Sequence, residues 1–201
     1  MCNKGFKLKD LTSEDYNLLM NAIAKRTKPQ LPFNTETGDV FEIANMEFIR
    51  FPATEHGVPI LLKTLLPNME FGNSNNFSES YVLRELVSEV LPKIEAAVGA
   101  ENVLEFETDL TAMDGLKDYG SIKSKISLPT FDFFRKNIEM FDKYASENDF
   151  WLATPWSTPT HAYNRLMCHV TSRNIITYTQ CYNERCVRPV LYLSPSVFAS
   201  E

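Results

Sequence analysis

The polar and aromatic residues best suited to chemistry are concentrated in one stretch, between Trp156 and Arg185. Tyrosine, tryptophan and arginine provide large contact areas at small entropic cost, and asparagine and glutamine add adaptable hydrogen bonds. That mixture is typical of a recognition surface rather than of a reaction centre. We therefore predict that the following residues bind a ligand: Trp156, His161, Tyr163, Arg165, His169, Arg173, Tyr178, Gln180, Tyr182, Asn183 and Arg185.

Catalytic motifs are not found elsewhere in the chain. No G-x-S-x-G turn is present to expose a nucleophilic serine, and no glycine-rich loop is present to cradle phosphates. Asp114 pairs in sequence with Asp109 or with Asp118, but glycosidases need two carboxyl groups at a set separation across a cleft. A solvated acidic loop explains these aspartates better, so we expect a protein that is not an enzyme and needs no cofactor.

The four cysteines, Cys2, Cys168, Cys181 and Cys186, include no C-x-x-C pair. Structural zinc sites usually take their ligands from such close pairs. Without a secretory signal, cysteines are usually reduced. We therefore predict free thiols and no metal site.

Charge and hydropathy restrict the partner. The formal net charge is -6 and the pI is about 5.2, and no basic stripe of the kind that binds nucleic acid is visible. No apolar run approaches the ~18 residues needed to cross a bilayer, and no secretory signal is recognisable at the N-terminus. We expect a cytoplasmic protein with a protein or glycan ligand and no nucleic-acid or membrane partner. The sequence is also compatible with a homo-oligomer.

Three helices are predicted from apolar residues at helical spacing. The first begins at Thr12 and ends before Pro29, with Lys25, Arg26 and Lys28 in its last turn. The second begins at Ser78 and either bends at Pro92 or restarts there before Gly99. The third follows a capping Thr130. Its predicted buried side contains Phe131, Phe134, Ile138 and Phe141.

Strands are predicted where short apolar runs alternate with polar residues. Residues 40–43 and 46–51 form a hairpin around Ala44-Asn45, and residues 58–66 form a buried strand. After Asp149 no helical period remains, and four runs read as strands: residues 151–154, 165–171, 175–181 and 187–193.

Alternation divides the second of these late strands into two faces. Leu166, Cys168 and Val170 are expected in the core, and Trp151 and Arg188 are also predicted to be structural. The residues expected to face outward are Arg165, Met167, His169 and Thr171. In the third late strand either the set Ile175, Thr177 and Thr179 or the set Ile176, Tyr178 and Gln180 faces outward, and the pattern does not decide between them.

Helices and strands come in blocks, so we predict an α+β fold with three main helices and short antiparallel strands. The length of 201 residues suits a single domain. We divide it into an N-terminal helix and connector (residues 1–38), a scaffold (39–149) and a strand-rich binding part (150–201).

Two C-terminal motifs resemble those of an uncharacterised bacterial and phage family, W-W-L-x-[ST]-P and, later, G-V-R-P-x-x-x-L. Residues 150–155 read FWLATP and residues 186–193 read CVRPVLYL, so Phe150 replaces the first tryptophan and Cys186 the glycine. Weaker matches follow the same order: residues 40–44, 47–49, Ser80, Arg84, 110–115, 119–120, 131–136 and 196–200.

The family has no established activity, but its C-terminal part is similar to C-type-lectin-like domains. The resemblance therefore implies a C-type-lectin-like C-terminal part, in which the late strands form a small sheet that supports exposed loops. The function expected is that of a phage or bacterial binding protein, in the cytoplasm, a phage particle or a host cytoplasm. Two alternatives remain: a phage-encoded inhibitor or small-molecule sequestering protein directed against a host defence system, and an enzyme of unknown class.

Overall fold

The structure is a computed structural model that describes Thr12, residues 31–144 and residues 148–198. Apart from Thr12, the predicted first helix lies outside the described residues, and so does Cys2.

The prediction of an α+β fold with three main helices is wrong. The described chain is mostly β-sheet, with three sheets and one long helical segment. The strands are β1 (Val40–Ile43), β2 (Met46–Arg50), β3 (Val58–Leu62), β4 (Leu66–Glu70), β5 (Val103–Leu104), β6 (Phe106–Asp109), β7 (Ser121–Ser124), β8 (Ile126–Ser127), β9 (Phe150–Pro155), β10 (Leu166–Val170), β11 (Ile176–Gln180), β12 (Glu184–Val187) and β13 (Val190–Leu193).

The C-terminal strands are shared between the two large sheets. The six-stranded sheet has the order β1-β2-β3-β13-β5, with β8 also paired to β13, and the five-stranded sheet has the order β11-β10-β9-β12-β4. Strands β6 and β7 form a separate hairpin. Because β12 pairs with β4 and β13 pairs with β3, the late strands do not form a small sheet of their own. The predicted C-type-lectin-like arrangement is therefore wrong as well.

The predicted first hairpin is confirmed. Strands β1 and β2 pair antiparallel with Ile43 opposite Met46. Ala44 and Asn45 between them both have a positive φ, 52° and 60°, which is the geometry of a two-residue turn that matches strand twist. Next along the chain, β3 is buried over its whole length, as its continuous apolar run predicts.

The long helical segment consists of α1 (Tyr81–Glu85), a π-helical turn (Leu86–Val90) and α2 (Leu91–Val98). Ser80, rather than the predicted Ser78, caps α1 by accepting a hydrogen bond from the Leu83 amide at 3.0 Å. Pro92 lacks an N–H and its ring crowds the preceding turn. The π-helical turn directly before it widens the helix at that point, so the helix continues to Gly99 without ending.

The predicted third helix is two short ones, α3 (Phe131–Lys136) and α4 (Ile138–Tyr144). Thr130 caps α3 as predicted, accepting from the Phe133 amide at 3.1 Å. The chain leaves the helical conformation at Asn137, whose side chain donates to the Phe133 carbonyl. As a result Phe134 and Phe141 are buried, but Ile138 is exposed.

Two apolar cores lie on opposite faces of the central strands. Trp151 and Ala153 of β9 pack into one core and Phe150 and Leu152 into the other. Trp151 is fully buried, as predicted. Arg188 is also buried, donating to the Leu62 carbonyl and lying over the Phe150 ring, which fits its predicted structural role.

Strand β10 departs from the predicted alternation. Met167 packs into the first core and Cys168 and Val170 into the second, so both faces of the strand are covered. His169 is only 3% exposed. The prediction that Met167 and His169 face outward is therefore wrong, because packed side chains cover both faces of β10.

Candidate functional site

The segment between β9 and β10, residues 156–165, is an irregular loop with one short 3₁₀ turn, Pro159–His161. Ala162 ends this turn in the left-handed conformation at φ 62°. Trp156 leads into the loop, and Tyr163 is 54% exposed. We call this segment the 156–165 loop, and side chains from two other segments hold it in place.

Asn75 is the first of these side chains. It is fully buried, and its amide nitrogen lies 2.7 Å from the Ser157 carbonyl, 3.0 Å from that of Tyr163 and 2.8 Å from that of Leu166. Its amide oxygen accepts the Tyr119 hydroxyl at 2.6 Å. One buried amide thus satisfies carbonyls at the start and the end of the loop.

Two aspartates of the 111–120 segment hold the same loop from another side. Asp114 Oδ2 accepts the Ser157 hydroxyl at 2.5 Å and lies 2.9 Å from His161 Nδ1. Asp118 Oδ2 accepts the hydroxyls of Thr158 and Thr160, both at 2.7 Å. The prediction that these aspartates form a solvated acidic loop is therefore wrong. We call the four contacts the aspartate clasp.

The clasp shifts the pKa of both carboxyl groups. Burial raises the pKa of Asp114, but hydrogen bonds from Ser157 and His161 outweigh it and the net shift is downward. Hydrogen bonds from Thr158 and Thr160 lower the pKa of Asp118. Both groups are therefore ionised at neutral pH and act only as acceptors.

Beside the clasp lies a pocket of about 490 Å³, which brings together three of the predicted site residues. Trp156 and Tyr163 supply aromatic surface to its lining, and His161 supplies a polar group. The lining is completed by Met113, Asp114 and Ser157. Tyr178 of β11 does not line the pocket but packs against Trp156, with ring centroids 4.2 Å apart, and so fixes the indole.

The tautomer of His161 follows from the clasp. Because the ionised Asp114 can only accept, the histidine Nδ1 carries the proton. His161 Nε2 makes no hydrogen bond within the described chain and is available to a ligand. Ser157 donates to Asp114 and not to His161, so these three residues do not form the relay of a serine hydrolase, in which the histidine accepts from the serine.

Two other predicted site residues meet at a different place. Asp149 Oδ2 lies 3.7 Å from both His169 Nε2 and Arg185 Nε. His169 is buried there against the edge of Trp151. Burial lowers the pKa of His169 to about 4, with a further contribution from Arg185 that Asp149 partly offsets. His169 is thus a neutral core residue rather than a ligand contact.

The remaining predicted residues are dispersed around β11. Arg173 is exposed in the turn before this strand, and Tyr182 is 59% exposed in the turn after it. Asn183 donates to Thr179, and Gln180 is half-buried at the end of the strand. Arg165 is exposed at the end of the 156–165 loop. Of the two outward sets left open for β11, neither is fully exposed, although Tyr178 is 46% exposed.

The residues that position the pocket were largely missed by the sequence prediction. Asn75 falls in a polar stretch with nothing to distinguish it from Asn73 or Asn76. The clasp does leave a signal, because the hydroxyl-rich run at residues 157–160 can pair with two aspartates four residues apart. That pairing becomes visible only once the two loops are known to meet.

Within the described ranges, no three histidine, cysteine or acidic side chains converge as ligands for a metal ion. The cysteines described, Cys168, Cys181 and Cys186, are free thiols. None of the helices in this part of the chain has the length and apolar character needed to cross a membrane.

The pocket can therefore offer a ligand aromatic surface, one imidazole nitrogen and a rigid frame, without an evident nucleophile. Support for this site comes from the contacts of the chain's own residues. No family model, no curated protein and no solved structure matches this chain.

Proposed function

We propose that this protein is a non-enzymatic binding protein whose pocket at the 156–165 loop takes a neutral saccharide unit of a glycan. Aromatic rings complement the apolar C–H face of a sugar, and a few polar groups orient its hydroxyls. Trp156 and Tyr163 supply the rings, and His161 Nε2 supplies a hydrogen-bonding nitrogen.

The observation that carries the proposal is the prior ordering of the loop. Asn75, Asp114 and Asp118 hold the 156–165 loop through buried or charged hydrogen bonds before any ligand arrives. A loop ordered in advance loses little entropy on binding, so more of the contact energy appears as affinity. A loop that only covered the apolar core would not need this many hydrogen bonds.

A glycan is favoured over a broad protein interface because the exposed candidates do not form one surface. Arg173 and Tyr182 lie at opposite ends of β11, and His169 is buried. The pocket concentrates the rings in one concave place instead. An enzyme is disfavoured because no nucleophile is paired with His161.

The test compares two exposed loop tyrosines, Tyr163 in the pocket and Tyr182 outside its lining. Saturation-transfer NMR on a panel of neutral mono- and disaccharides first identifies a sugar that binds. Tyr163→Ala is expected to weaken its binding roughly tenfold, about 1.4 kcal/mol. Tyr182→Ala is expected to leave the affinity unchanged.

Failure of every neutral saccharide to show transfer would contradict the proposal. Equal losses in the two tyrosine variants would also contradict it, since they would place the contact outside the pocket. Circular dichroism of both variants checks that each keeps its fold, which is expected because both side chains are more than half exposed.

A further inference from the structure

A second cavity, of about 260 Å³, lies between β6, the start of α3 and strands β9 and β13. It borders the saccharide pocket only through Met113, which lines both. Its walls are aromatic: Phe106 and Tyr192 pack with ring centroids 4.5 Å apart, and Phe131 and Phe133 also contribute. A ligand here would bury an apolar body against these rings.

The charged groups that line this cavity are all acidic: Glu107, Asp109 and Asp132. Asp132 is paired with Arg135 Nε at 2.8 Å. Among the described residues, no cationic side chain pairs with Glu107 or Asp109, whose hydrogen bonds come from Ser121 and Thr111 respectively. Glu107 lies opposite Lys123 across β6 and β7, whereas Asp109 lies opposite Ser121. Asp109 is therefore the acid of this lining that has no cation opposite it in the strand register and no ion pair among the described residues.

The half-buried Tyr192 adds a hydroxyl to the cavity wall, and this hydroxyl makes no hydrogen bond within the described part of the chain. Burial raises the pKa of Tyr192, so the group stays a neutral phenol. The N–H group of a bound ligand can donate a hydrogen bond to this oxygen.

We infer that this cavity binds a small organic cation, an amine whose apolar body packs on Phe106, Phe131 and Tyr192 while its ammonium group faces Asp109. Aromatic faces attract cations through their quadrupole, and an unpaired carboxylate adds charge attraction in a partly enclosed site. An anion of the same shape is repelled by Asp109. The site is separate from the saccharide pocket and does not depend on it.

The experiment uses the full chain and three probes of nearly equal shape, phenethylamine, 2-phenylethanol and phenylacetate. Isothermal titration calorimetry is expected to show saturable binding of phenethylamine, at least tenfold weaker binding of the alcohol and none of the acid. In ¹⁵N-labelled protein, the amine is expected to shift the amide signals of Thr108 and Tyr192 but not that of Tyr163.

Asp109→Asn keeps the acceptor for Thr111 and removes the charge, so it is expected to weaken phenethylamine binding about tenfold. Glu105→Gln removes an exposed acid that does not line the cavity and should leave the affinity unchanged. Equal affinity for amine and alcohol, an unchanged affinity in Asp109→Asn, or shifts centred on Tyr163 would each overturn the inference. Tyr163→Ala should bind phenethylamine normally, so the two proposals fail separately.

Discussion

Asn75 shows how much one buried side chain contributes when several loops meet on it. Its amide serves three carbonyls and the Tyr119 hydroxyl, all within 3.0 Å. Burial raises the pKa of Tyr119 to about 12, so the phenol remains a donor at any ordinary pH. Since Tyr119 donates to the amide oxygen, the amide nitrogen is directed towards the loop.

We therefore predict that Asn75→Ala destabilises the protein by roughly 3 kcal/mol, because the Ser157 and Tyr163 carbonyls lose their donor and the Tyr119 hydroxyl loses its acceptor. Urea unfolding measures the change. Asn73→Ala is the matched control, since Asn73 is exposed and makes no side-chain hydrogen bond to a described residue. It should change stability by less than about 0.5 kcal/mol. Equal effects of the two substitutions would show that the bonds of Asn75 contribute nothing.

At the scale of elements, the aspartate clasp fixes the 156–165 loop against the 111–120 segment. Asp118 joins the 3₁₀ turn Pro159–His161 through Thr158, Thr160 and the Thr160 amide. The folded pKa of Asp118 lies below the ordinary value of 3.8. The clasp is therefore complete above that value and is lost as the pH falls through the lowered folded pKa.

Hydrogen exchange should detect this loss locally. We expect the Thr160 amide to exchange faster in Asp118→Asn than in the wild type at pH 7, because the asparagine cannot accept the same charge-assisted bonds. In the wild type, protection should fall only below pH 3.8. Lys117→Ala, which changes an exposed neighbour in the same segment, should preserve the protection. A Thr160 amide that exchanges equally fast in all three proteins would mean that the clasp does not order the turn.

At the scale of the whole molecule, the elements with local signals and three residues of the pocket were predictable, but the residues that hold the pocket in place were not. The β1–β2 hairpin follows from alternation and from Asn45, a residue type that tolerates positive φ. Strands β9, β10, β11 and β13 correspond to predicted runs, but β12 was not predicted, and the run at residues 187–193 is a strand only from Val190. The faces of β10 do not follow from alternation, because their burial depends on side chains distant in sequence that cover both sides. The pocket depends on still longer contacts: Asn75 and Ser157 lie 82 residues apart, and Asp114 and Ser157 43 apart.

The burial of His169 in β10 also makes the global stability of the protein depend on pH. His169 has an unfolded pKa near 6.5 and a folded pKa of about 4, because burial disfavours its charged form and Arg185 repels it. The unfolded chain therefore takes up a proton below pH 6.5 while the folded chain does not. Stability is complete above pH 6.5 and declines as the pH falls towards 4.

We predict that the free energy of unfolding falls by about 2 kcal/mol between pH 7.5 and pH 5 because of this one histidine. Urea unfolding at the two pH values measures the decline, and His169→Gln should remove most of it. His56→Gln should not, because His56 is exposed beside Glu55 and lies outside both cores. If the decline persists in His169→Gln, the proton is taken up elsewhere and the neutral, buried state of His169 does not control the acid sensitivity of the fold.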